Sequence, residues 1–168
     1  MKVHELLKNY NAGVRDFTGV NLSEADLRES DLSGAILDRA ILDGAKLNHA
    51  NLVQTSLIEA DLNGADLSNA NLTESKLVGA ILDGAILDGA DLSHANLEIA
   101  KLIETDLSEA ELHEANLQAA NLDSADLSGA DLSVADLTHA NLFEADLQAA
   151  NLNGANLDDA DVGGTILD

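Results

Sequence analysis

The sequence predicts an all-β solenoid, and three regularities predict it. A leucine returns every five residues from Leu22 to Leu157, and Phe17, Val162 and Leu167 extend the register to 31 successive sites. Two positions before each site stands a small residue, Ala at 24 of the 31, with Asp or Asn commonest in between, as in Ala25-Asp26-Leu27-Arg28-Glu29. Ten of the twelve glycines, from Gly19 to Gly164, occupy the second position after a site.

Neither ordinary element tolerates this period. Leucines five apart on an α-helix advance by roughly 140° each time and never form a stripe. In a flat strand, an odd spacing sends successive leucines to opposite faces. The chain must therefore turn once per unit. A type II turn requires φ > 0 at its third residue, where Gly costs nothing and Asn is tolerated, and Asn69 shares the glycine slot. Ala and Leu then point inward, separated by an outward Asp or Asn.

The Ala-(Asp/Asn)-Leu-x-x unit resembles the pentapeptide repeat family, whose members wind into a right-handed quadrilateral parallel β-helix with four units per coil. The resemblance implies nearly eight coils for the 31 units. At ~4.8 Å per coil that makes a rod roughly 35 to 40 Å long.

Residues 1–14 form the N-terminal segment, a capping helix and turn. Val3, Leu6, Leu7 and Tyr10 fall at i, i+3, i+4 and i+7 and make one apolar helical face, which Asn11-Ala12-Gly13 ends. Similar proteins carry such a helix over the first coil, where it covers backbone and apolar side chains that a terminal coil leaves bare. Residues 15–168 form the β-helix as a single domain. Its last units weaken, and Val162, Ile166 and Leu167 are expected to form a homodimer contact through the C-terminal coil; the alternative is a solvated, frayed end.

Composition agrees with a narrow interior: 46% of residues are apolar but only 2% aromatic. The absence of cysteine excludes disulfides and thiolate metal sites. Met1 to Tyr10 fits neither a signal peptide nor a membrane span, so a soluble, cytoplasmic protein is expected, with no membrane partner.

A longer repeat overlies the short one. The stretch Ala35 to Ala45 recurs 45 residues later as Ala80 to Ala90, and His-Ala-Asn-Leu begins at His49, His94 and His139. Nine units make 2.25 coils, so each copy is rotated onto the next side and these histidines do not align. His94 and His113 do share a side in adjacent coils, near Asp91, Glu111 and Glu114, but read as exposed polar residues; no metal and no cofactor is expected. Nor is catalysis. A convex rod offers no concave, desolvated setting for an acid–base pair, and no phosphate-cradling motif interrupts the units.

Charge is the strongest surface property, at −23 net. All eight Lys and Arg lie at or before Lys101, so residues 1–101 carry −8 and residues 102–168 carry −15. Such a surface repels nucleic acid and suits a basic protein partner. One side differs. On the column of Leu37, Leu57, Leu77, Leu97 and Leu117, outward positions hold Ile36, Ile58, Val78 and Ile99, and those five coils sum to −1 against −4, −4 and −5 elsewhere. The sequence therefore points to a non-enzymatic interaction module or scaffold, using that strip as its protein contact. An alternative comes from the resemblance, because some family members mimic DNA and occupy the DNA-binding saddle of type II topoisomerases such as gyrase. The unbroken register here has no room for the projecting loops of several such inhibitors.

Overall fold

The computed structural model describes residues 1–167. From Asp16 onward, each residue preceding a site pairs in parallel with the residue twenty positions later, beginning with Asp16 and Ile36 and running to Asp146 and Ile166. Four units, each with one turn, fill those twenty residues, so every coil has four sides.

A single unit shows why the chain turns as it does. The Asp66 amide donates to Ala45 O at 2.9 Å, Leu67 to Ile86 O at 2.7 Å, Asn69 to Asp88 O at 2.9 Å, and Ala70 closes the turn on Leu67 O at 2.9 Å. The remaining amide, that of Ser68, donates to the Asp66 side-chain Oδ1 at 3.1 Å. All five donors of the unit are thereby satisfied, four by backbone and one by the outward carboxylate. This is the structural reason for Asp or Asn before the leucine. At two units where that position holds another residue, the preceding coil supplies the acceptor: Ile58 N–H donates to Asp38 Oδ1 at 3.1 Å beside Ser56, and Ile103 N–H to Asp83 Oδ1 at 3.0 Å beside Lys101.

Every position two past a site, from Gly19 to Gly164, has positive φ, as the glycine pattern predicts. Twenty of them hold residues other than glycine. Ile99 (φ 53) and Val134 (φ 61) are the β-branched cases, and for them this conformation is strained.

Leu22 through Leu147 line the interior, each at most 3% exposed, with the alanines from Ala35 to Ala145 between them. Burying each leucine contributes roughly 1.5 to 3 kcal/mol. Three polar residues replace alanine in this core. Thr55 and Thr105 donate to the carbonyls of Leu32 at 3.1 Å and Leu82 at 2.9 Å, whereas the buried Ser75 hydroxyl has no partner.

Helix α1 spans Val3–Asn11 and buries Leu6 and Tyr10, with Val3 and Leu7 half-buried against the same core. The predicted apolar face is thus the one that closes the first coil. Polar contacts fasten it: Tyr10 Oη donates to Ser33 O at 2.8 Å, and the Met1 ammonium to Asn21 O at 3.1 Å. Arg15 donates to Tyr10 O at 2.8 Å and lies 3.9 Å over its ring, a cation–π contact. Gly13, at φ 93, then turns the chain into the first coil.

Candidate functional site

The near-neutral side is continuous across three coils. Ile58 and Val78 are half-buried and stacked, joined by the Glu59 amide donating to Val78 O at 3.0 Å. Ile99 is 56% exposed and folds back over the turn of the preceding coil, its Cδ1 lying 3.8 Å from where a Cβ on Gly79 would stand. A side chain in place of that glycine would meet Ile99 at ordinary van der Waals distance. Ile36 stands apart from the stack, in the neighbouring row Asp16–Ile36–Ser56–Lys76. Two of the charges on this side are paired, since Arg39 Nε bonds Glu59 Oε2 at 2.7 Å.

Exposed apolar side chains are not confined to that side. Ile41, Ile86, Val134 and Phe143 are each exposed on the other sides or corners. Phe143 lies close to the last coil, where a Cβ on Gly163 would meet its Cδ2 at 3.2 Å. What distinguishes the strip is low charge together with contiguous stacking, not exposure.

Elsewhere the surface is acidic, and its carboxylates stack. Asp106, Asp126 and Asp146 pair in successive coils, as do Asp91, Glu111 and Asp131. Most serve the amide two residues on, and that bond favours the ionised form. Side-chain and backbone hydrogen bonds from Thr18, Ser133 and Thr138 hold Asp16, Asp131 and Asp136 below the usual carboxylate range. The Arg28 guanidinium, 2.7 Å from Asp26, holds that carboxyl at about 2.

Three polar side chains meet where two coils adjoin. His94 Nδ1 is 3.3 Å from Glu114 Oε2, and His113 Nε2 is 3.3 Å from Glu114 Oε1. The two rings stand edge to face with centroids 5.8 Å apart. The other duplicated histidines are elsewhere, as the rotation of the 45-residue copy requires; His139 faces Asp159 at 3.7 Å.

At the far end, Val162, Ile166 and Leu167 are 45%, 48% and 57% exposed. The last ladder bonds run between Leu147 and Ile166 and between Ile166 and Ala145. Among the described residues, the amides of Leu152, Leu157 and Val162 donate to no backbone carbonyl. Among the described residues, no helix is long and apolar enough to cross a membrane.

Comparison with known proteins agrees with this geometry. The pentapeptide repeats model matches in overlapping segments covering residues 16–100 and 100–168. Comparison with curated proteins gives no match. Among solved structures, the chain is 34% identical to HetL, a pentapeptide repeat protein involved in heterocyst differentiation regulation from the cyanobacterium Nostoc sp. strain PCC 7120, over 99% of this chain and 97% of that one, with a TM-score of 0.49. It is 22% identical to QnrB1, a plasmid-mediated fluoroquinolone resistance protein, over 92% of each chain, with a TM-score of 0.59, a likeness of fold alone. A third, Rfr23 from the cyanobacterium Cyanothece 51142, is 27% identical over 98% of this chain and 99% of that one, with a TM-score of 0.40. With the family's model matching from residue 16 to residue 168, this chain belongs to the pentapeptide repeat family.

Proposed function

We propose that this protein is a non-enzymatic interaction module or scaffold of the cytoplasm, contacting a protein partner through Ile36, Ile58, Val78 and Ile99. The observation that carries the reading is the stack of Ile58, Val78 and Ile99 across three coils on the side of lowest charge. An apolar contact of that kind excludes water without desolvating unpaired charge, while the acidic flanks steer a basic partner toward it. Ile58→Ser with Val78→Ser is the test. Capture of a partner from native lysate should be abolished while the circular dichroism spectrum is unchanged; undiminished capture rejects the strip.

The acidic half favours a second reading, mimicry of DNA toward a type II topoisomerase. Its specific support is the stack Asp106–Asp126–Asp146 within a stretch that has no Lys or Arg after Lys101. Inhibition of gyrase supercoiling by the purified protein supports mimicry, and no effect at large molar excess dismisses it. In either reading a homodimer through Val162, Ile166 and Leu167 would present two rods end to end. A monomer mass by light scattering excludes that contact.

A further inference from the structure

We propose that His94, His113 and Glu114 form a binding site for a divalent transition-metal ion of the zinc class, clipping two consecutive coils together. Three observations converge on it. The first is donor type: two imidazoles and a carboxylate are the ligands such ions take, and magnesium does not favour imidazole. The second is spacing. Each imidazole nitrogen lies 3.3 Å from a Glu114 oxygen, so the three side chains adjoin and a change of side-chain rotamer is all that is needed to turn them toward a common ion.

The third is how His113 is held. Its Nδ1 is 2.9 Å from Ser133 Oγ, a contact that in metal sites orients the ring and selects its tautomer. In the tautomer whose ring hydrogen sits on Nδ1 and is donated to Ser133, Nε2 keeps a free lone pair with which to ligate an ion. The surroundings favour a cation too, because the paired row Asp91–Glu111–Asp131 runs through the same units.

As the side chains stand, the imidazoles address opposite oxygens of Glu114, and among the described residues no three donors already converge on one point. The three side chains are 41% to 51% exposed, so side-chain rotation brings them together without moving the backbone. His139 and Asp159 repeat the coil-to-coil pairing but lack the third ligand, which makes them an internal control.

The full chain is melted with zinc and with magnesium at matched ionic strength. Magnesium reports what 31 acidic residues do to any divalent ion, and ion-specific binding to the folded state raises the midpoint further. The expected result is a higher midpoint in zinc than in magnesium, with the excess lost in His94→Ala/His113→Ala, reduced in Glu114→Gln and kept in His139→Ala. Proton spectra of the five histidines supply a second readout, with His94 and His113 signals perturbed by substoichiometric zinc before those of His4, His49 and His139. Equal midpoints in the two ions, or a zinc excess that survives the double substitution, overturns the proposal, as does uniform perturbation of all five rings.

Discussion

Ser75 carries a buried hydroxyl with no hydrogen-bond partner in a column whose other members are mostly alanine. Leaving such a group unsatisfied costs about 1 to 3 kcal/mol, and alanine fits the same slot, so Ser75→Ala should raise the urea midpoint by the equivalent of about 1 kcal/mol. Thr55→Ala and Thr105→Ala should not, because their hydroxyls are bonded. Val134 has a different burden, a β-branched side chain at φ 61 with 54% of its surface exposed. Val134→Gly should stabilise by about 1 kcal/mol in thermal or urea unfolding, the left-handed penalty exceeding the entropy that glycine loses. The turn position was legible because glycine marks it ten times. The strain at Ile99 and Val134 was not, since the register alone does not reveal that their backbones keep the conformation without glycine's freedom.

Within the coil, cohesion divides between leucine columns and the outward Asp or Asn. Leu87 is fully buried in mid-rod, so Leu87→Ala should cost about 2 to 5 kcal/mol in urea unfolding. Leu157→Ala, half-buried in the last coil, should cost less. Protonation tests the outward residues. Asp131 accepts the Ser133 amide at 2.9 Å and has a lowered pKa. Its folded value lies below its unfolded one, so its stabilisation is complete above about pH 4 and is lost as pH falls through the lowered value. Asn accepts the same amide without titrating. The stability difference between wild type and Asp131→Asn, followed by urea unfolding, should therefore move in favour of the variant as pH falls from about 5 to 2.5. The sequence showed that Asp and Asn recur but not what they hold, because the amide they accept becomes an orphan only once the turn exists. The same holds for the strip: Ile58, Val78 and Ile99 were visible as residues, but the approach of Ile99 to the Gly79 turn twenty residues earlier is a product of stacking.

Taken as a whole, the rod carries −23 with eight positive residues, none beyond Lys101. Self-repulsion on that scale is screened over about 10 Å at 0.1 M salt, so sodium chloride should raise the unfolding midpoint steadily from low to moderate concentration. A midpoint indifferent to salt would mean that paired contacts such as Arg39–Glu59 outweigh the net field. The twenty-residue spacing of the bridges also acts as an address system. Removing one unit of five residues keeps every turn intact yet swings all that follows by a quarter of a revolution, whereas removing four units shortens the rod and leaves each face pointing as before. Length and facing can thus be altered separately. A one-unit deletion between the apolar strip and the acidic half would set the two at a new angle to each other, letting their relative bearing be varied while the sequence of each is preserved.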